Sequence, residues 1–183
     1  VGGQRPKSPI LQFHFRKSKI GHSSFLLACY FTIPIVNFTI RRFLMKTKGR
    51  CYCGIIKYEI KEQAEASFQC HCRECQYITG GNPNTVMAFP KESFNYVSGK
   101  PKKFTRQDID IAVTRHFCEN CGTAIGTESP ARPNSMIVKV GTMDDPSAFK
   151  PQAAIFTCDT QPFHQLPEDI PLFEKRPPKK QND

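Results

Sequence analysis

Seven of the nine cysteines fall into three tight clusters, Cys51-Tyr-Cys53, Cys70-His71-Cys72-Arg-Glu-Cys75 and Cys118-Glu-Asn-Cys121. Two thiolates one or two residues apart can aim both sulfurs at a single ion. Zinc takes four ligands in a tetrahedron, so two such pairs close one site. Counting ligands gives a set of four (Cys51, Cys53, Cys118, Cys121) and a set of three (Cys70, Cys72, Cys75). A closed set of four is structural, whereas a set of three leaves a position for water or substrate. Two zinc ions per chain are therefore expected. Other divisions remain open at this point: Cys70, Cys72 and Cys75 could share a site with Cys118 or Cys121, or recruit Cys158 or His71. Disulfides are the competing reading, but C-x-C neighbours are badly placed to bridge each other and nothing marks a small secreted scaffold. The expected location is cytoplasmic. Cys29 and Cys158 stand alone and read as buried thiols.

These clusters need a scaffold, and 183 residues suffice for one domain with a sizeable core. The formal charge of +10 suggests nucleic acid until it is divided along the chain. Residues 1–44 hold seven basic side chains and no acidic one, which leaves 19 basic against 16 acidic for the rest, a net of +3. A near-balanced domain argues against a nucleic-acid partner.

The arm 1–44 is set apart in other ways. Its apolar stretch Phe25–Ile40 is 16 residues long and contains Pro34 and Asn37, short of the ~20 apolar residues of a spanning helix. No membrane partner is expected. Arg41-Arg42 follows it where a signal peptide would place small residues. The arm is taken as extraneous or disordered, with organelle targeting and a membrane anchor as the alternatives, and the functional protein is expected to start at or near Met45. The zinc-binding domain is then 45–175, and the Pro- and Lys-rich tail 176–183 is expected to be disordered.

From Cys51 onward the chain reads as short strands between turns. Ile56, Tyr58 and Ile60 alternate with Lys57, Glu59 and Lys61 over Gly54–Lys61, the period of a half-buried strand. Thr85–Phe89, Phe94–Val97, Ile111–Phe117 and Ser135–Val140 read similarly. In the last of these, Met136, Val138 and Val140 share one face, with Lys139 opposite. A helical turn is expected over Arg73–Thr79, ended by Gly80. A second is expected at Asp144-Asp145-Pro146, with Asp as cap and Pro in the first position. The fold class is mainly β: a single zinc-stapled domain with short helical turns, in which metal coordination offsets the cost of joining the Cys51 and Cys118 clusters across the loop between them.

Gly49-Arg-Cys51-Tyr-Cys53-Gly54, Cys70-His71-Cys72-Arg-Glu-Cys75, Arg115-His-Phe117-Cys118-Glu-Asn-Cys121-Gly122-Thr123 and Gly141-Thr-Met-Asp144-Asp145-Pro146 come in the order and approximate spacing of one family. Over roughly residues 45–175 the chain resembles the glutathione-dependent formaldehyde-activating enzymes, which include relatives of centromere protein V. The resemblance implies a β-tent fold, a structural zinc at Cys51, Cys53, Cys118 and Cys121, and a second, exchangeable zinc at Cys70, Cys72 and Cys75 associated with glutathione and the reaction. The chain departs from the family at Ala154, where many relatives carry His, and at Pro162-Phe163, where they often have Pro-Trp. Both positions could shape a substrate pocket.

A thiol bound at an open zinc is deprotonated, and its addition to formaldehyde gives a hemithioacetal. The expected activity is that of a zinc-dependent carbon–sulfur lyase acting on a thiol–aldehyde adduct, in the manner of S-(hydroxymethyl)glutathione synthase. Its partners are a small thiol, glutathione first, and an aldehyde. Cys70, Cys72 and Cys75 act through the zinc, and His71 between them reads as a proton relay or as a donor to a thiolate. Glu74 reads as a solvated carboxylate, and Arg115 and His116 as alternate faces of a strand. Arg73, Arg115 and Lys139 are candidates for substrate carboxylates. The alternative function is a non-enzymatic, zinc-stapled interaction module resembling centromere protein V.

Overall fold

The structure, a computed structural model, describes residues 46–178, all within one compact unit. The readings for the arm 1–44, for Cys29 and for the end of the tail lie outside the described residues. Eleven strands follow one another: β1 (Thr47–Arg50), β2 (Lys57–Ile60), β3 (Ala66–Cys70), β4 (Asn84–Pro90), β5 (Phe94–Ser98), β6 (Lys102–Thr105), β7 (Thr114–Phe117), β8 (Ala124–Ser129), β9 (Arg132–Lys139), β10 (Ala153–Ile155) and β11 (Leu172–Phe173). One helix, α1 (Arg73–Thr79), sits between β3 and β4. The fold is mainly β with short helical turns, as its alternating pattern predicts. Among the described residues, no helix is long and apolar enough to cross a membrane.

Two sheets result. β1, β2 and β5 form a small antiparallel sheet, and the remaining strands form a large one in the order β11-β10-β3-β4-β9-β8-β7-β6. Between them lies the core: Tyr58 and Ile60 from β2, Phe89 from β4, Ile125 from β8, and Met136 and Val138 from β9. The alternation in β2 aims its apolar side chains at the large sheet, and Tyr58 and Ile60 are fully buried. The Tyr58 hydroxyl lies 2.8 Å from the Thr142 oxygen, which itself donates to the Lys139 carbonyl at 2.8 Å. Thr142 therefore accepts from Tyr58, and the phenol is satisfied inside the core.

The large sheet's registers place its other face. Cys70 pairs with Asn84, Val86 with Lys139, Ile137 with Thr127 and Thr127 with Arg115. Directly opposed residues project from the same side of a sheet. Cys70, Asn84, Lys139, Thr127 and Arg115 thus share the face turned away from Met136 and Val138.

Three expectations need correction. Residues 54–56 belong to a cysteine turn, so β2 begins at Lys57 rather than Gly54. β7 begins at Thr114 rather than Ile111. No helix opens at Asp144: the Asp145 carboxylate accepts from the Ser147 N–H at 2.9 Å and Phe149 N–H bonds the Pro146 carbonyl, which is one turn. Pro151 lies five residues beyond Pro146 and keeps Lys150 out of helical backbone, so the segment cannot lengthen into a helix.

Candidate metal centres

The four-cysteine centre is built from two turns of the same design. Cys51 N–H bonds the Ile56 carbonyl while Gly54 N–H bonds the Cys51 carbonyl; Cys118 N–H bonds the Thr123 carbonyl while Gly122 N–H bonds the Cys118 carbonyl. Gly54 and Gly122 follow the second cysteine of each pair with φ of +76° and +71°, a left-handed backbone that glycine adopts without steric cost. Each turn presents two sulfurs from one loop. Cys51 and Cys118 are 1% exposed and belong to the hydrophobic core.

The sulfurs of Cys51, Cys53, Cys118 and Cys121 all lie within 4.8 Å of one another, with 3.4 Å between Cys51 and Cys53 and 3.7 Å between Cys53 and Cys118. Tetrahedral zinc at ~2.3 Å from each sulfur holds its ligands ~3.8 Å apart, so this donor set fits zinc. None of the eight described cysteines is in a disulfide. The Ile56 N–H donates to the Cys51 sulfur at 3.3 Å. Burial works against charge on Cys51, but that N–H and the neighbouring thiols hold its pKa below the ordinary value. Cys121 is lowered to about 6, chiefly by the Thr123 hydroxyl 3.1 Å away.

The three-cysteine centre has a different origin. Cys70 ends β3, Cys72 caps α1 and Cys75 lies in its first turn, where Cys75 N–H and Gln76 N–H both bond the Cys72 carbonyl. Positions three apart share a helix side, which brings Cys72 and Cys75 together beside the strand end. The three sulfurs lie within 4.8 Å of one another, and among the described residues no histidine nitrogen, carboxylate or further cysteine joins the set. In this arrangement His71, Cys158, Cys118 and Cys121 stand outside the trio. Cys158 is exposed rather than buried. Three sulfurs and no fourth protein ligand fit a divalent ion with an open position.

Charge is distributed unevenly among these sulfurs. Cys75 is lowered to about 3 by bonds from the Cys70 and Cys72 thiols, helped by Lys139 and by the Asn84 amide, which donates at 3.5 Å. Cys70 is pushed well up by the same sharing and by burial. Lys139 is buried, and burial, with repulsion from Arg115, lowers its pKa against the opposing pull of the three cysteine sulfurs. Glu74 is not a free surface carboxylate: one oxygen bonds Arg115 at 2.5 Å and the other bonds Arg106 at 3.0 Å. Arg115 and His116 do sit on opposite faces. His116, buried on the core side, donates to Glu128 at 2.7 Å and accepts from the Tyr96 hydroxyl at 2.9 Å.

His71 is fully buried. Its Nδ1 lies 3.2 Å from Nδ1 of His164, whose Nε2 is 2.7 Å from the Gly81 carbonyl. A carbonyl only accepts, so His164 carries its proton on Nε2 and its Nδ1 is an acceptor, shared between the Gln161 N–H at 3.2 Å and His71. His71 must then donate from Nδ1, which leaves Nε2 as an unprotonated nitrogen, and that atom is buried without a partner. Of the remaining candidates, Arg73 stacks over the Tyr77 ring at 5.5 Å. Ala154 is buried in β10, paired with Gln69 of β3 and Leu172 of β11. Phe163, in contrast, lines a cleft of about 270 Å³ with Gln69, Asn82, Thr85, His164 and Gln165. Sequence reasoning missed Asn84, the ion pairs of Glu74 and His164; the last lies in an irregular segment with no period to mark it.

The family model of the glutathione-dependent formaldehyde-activating enzyme matches residues 46–159, a span that contains all seven clustered cysteines. The chain belongs to that family. The match ends before His164 and Phe163, so the formaldehyde-activating-enzyme family model covers both cysteine centres but only one partner of the histidine pair. No curated relative matches the chain. Among solved structures, a crystal structure of a Rhodobacter sphaeroides protein is similar over 53% of this chain and 87% of its own, at 17% identity and a TM-score of 0.45.

Proposed function

We propose that the protein is a carbon–sulfur lyase of the S-(hydroxymethyl)glutathione synthase type, joining a small thiol to a one-carbon aldehyde or cleaving the adduct at the three-cysteine centre. The observation that carries this reading is a trio of sulfurs within 4.8 Å of one another with no fourth protein ligand among the described residues, in a chain of the formaldehyde-activating-enzyme family. Zinc bound by Cys70, Cys72 and Cys75 would supply an open position whose positive charge keeps a substrate thiol deprotonated at neutral pH. Cys51, Cys53, Cys118 and Cys121 hold the structural ion on this reading, so that two zinc ions serve one chain.

In the forward direction the thiol sulfur bonds the aldehyde carbon and the carbonyl oxygen gains the proton the thiol gave up. Among the described residues, His71 is suited to moving that proton. His71 is fixed by His164 with an unprotonated, unpartnered Nε2, which makes it the candidate acceptor. Arg115, anchored by Glu74, is the candidate for a substrate carboxylate, since a guanidinium offers donors beyond the one it spends on that pair. Asn84 holds Cys75 through its amide and so orients the trio.

The test follows hemithioacetal exchange by NMR with glutathione and formaldehyde. Wild type accelerates exchange and Cys72→Ser does not. No acceleration with any common cellular thiol, together with no thiol-dependent change at the metal, would favour a non-enzymatic interaction module instead.

A further inference from the structure

Lys139 is 8% exposed and is the one buried lysine or arginine among the described residues. Neither a salt bridge nor a hydrogen bond pairs its ammonium with a carboxylate there: Glu74 is taken by Arg115 and Arg106, and Glu128 by Lys91, Lys103 and His116. A cation buried without a partner is costly, and removing the only compensation for such a charge destabilises a fold strongly. The sulfur trio lies on its side of the large sheet, where Cys70 and Asn84 share the face of Lys139, and the three sulfurs oppose the lowering of its pKa by burial.

The two cysteine centres make the placement informative. A divalent ion held by four thiolates carries a net charge of −2, and one held by three carries −1. The more negative centre has no buried cation beside it; its sulfurs are met by the Ile56 N–H and the Thr123 hydroxyl. The less negative centre has the lysine, with Arg115 behind it. If the lysine served only to hold the metal, it would be needed more at the other centre. The charge it answers is therefore one that arrives. A thiolate entering the open position raises the centre to −2 inside a low-dielectric interior, where an adjacent cation has its largest effect.

We propose that Lys139, backed by Arg115, is the counter-charge for an anionic fourth occupant of the three-cysteine centre, and that it selects thiolates over neutral ligands. It is a positioning residue, and the proposal rests on the reading above that this trio holds a divalent metal. It sharpens that reading by assigning the occupant's chemical class.

Cadmium-loaded protein, followed by cadmium NMR, resolves the two centres and gives a readout independent of turnover. 2-Mercaptoethanol serves as the anionic probe and imidazole as the neutral one. Lys139→Met is expected to weaken mercaptoethanol binding at the open centre by at least about tenfold, because a nearby unit charge is lost, while imidazole binding and the closed centre's resonance stay as in wild type. Lys139→Arg retains thiol binding. Thermal melting is read in parallel, because removing the lysine leaves the centre's charge without its buried counter-charge and is expected to lower the melting temperature of Lys139→Met. Equal loss for both probes or unchanged thiol binding in Lys139→Met, or lost thiol binding in Lys139→Arg, overturns the proposal. Wild type that binds cadmium at the closed centre alone, or ignores mercaptoethanol, removes the functional reading itself.

Discussion

The two cysteine centres use the same atoms to opposite ends. Cys51 and Cys118 are packed into the core between the sheets, and their loops are closed by backbone hydrogen bonds and two left-handed glycines. Cys70, Cys72 and Cys75 gather on the outer face of the large sheet, where a strand runs into a short helix, and their surroundings are charged: Lys139, Arg115, Glu74 and Arg106. One centre is surrounded by neutral groups that satisfy its sulfurs; beside the other lie an ion-paired network and a buried lysine with no carboxylate partner among the described residues. On the proposed reading, ligand number separates a structural site from a reactive one, and the difference in surroundings supports that reading.

The largest effect expected from breaking this contrast is at the closed centre. Cys51→Ser or Cys121→Ser should unfold the domain, because structural zinc contributes on the order of 10 kcal/mol to folding; circular dichroism and thermal melting check this. Cys72→Ser should instead leave a folded protein with one zinc fewer and no exchange activity, read by metal analysis and NMR. If the two classes of mutant lose the fold alike, the contrast is wrong.

How much of this was legible in the chain follows from what kind of signal each residue carries. Cysteine spacing is local, so the clusters announce themselves, and the α1 boundaries follow from Gly80 closing the helix. Strand faces were legible where apolar residues alternate, as in Ile56, Tyr58 and Ile60. Lys139 was placed opposite Met136 and Val138, but nothing in an alternating strand tells a buried lysine from a solvated one; only what covers that face of the large sheet decides. His164 is 93 residues from His71, and a pairing at that separation leaves no pattern. Asp144-Asp145-Pro146 misled because cap residues open a turn as readily as a helix, and Pro151 stops the extension.

Smaller effects test how the core ties to the open face. Tyr58→Phe removes the donor to Thr142, whose hydroxyl bonds the Lys139 carbonyl, and should cost about 1 kcal/mol in denaturant unfolding without altering metal content. Glu128→Gln should cost about 1 kcal/mol at neutral pH, as expected for a partly exposed network. Lys103 and Lys91, then His116, hold the Glu128 carboxyl at about 2, below its ordinary 4.5. A depressed carboxyl stabilises the fold above its unfolded value and loses that contribution as pH falls toward the folded one. The difference between wild type and Glu128→Gln should therefore be constant at neutral pH and shrink below about 4.5. A difference that grows in acid would contradict the ion-pair origin.

The most direct test is native mass spectrometry during stepwise chelation, with the fold followed in parallel by circular dichroism. Two zinc ions per chain are predicted, the first leaving under mild chelator with the spectrum unchanged and the second leaving only as the fold is lost. A single zinc in the untreated protein, or two that leave together with the fold, would contradict the division into a structural and a reactive centre.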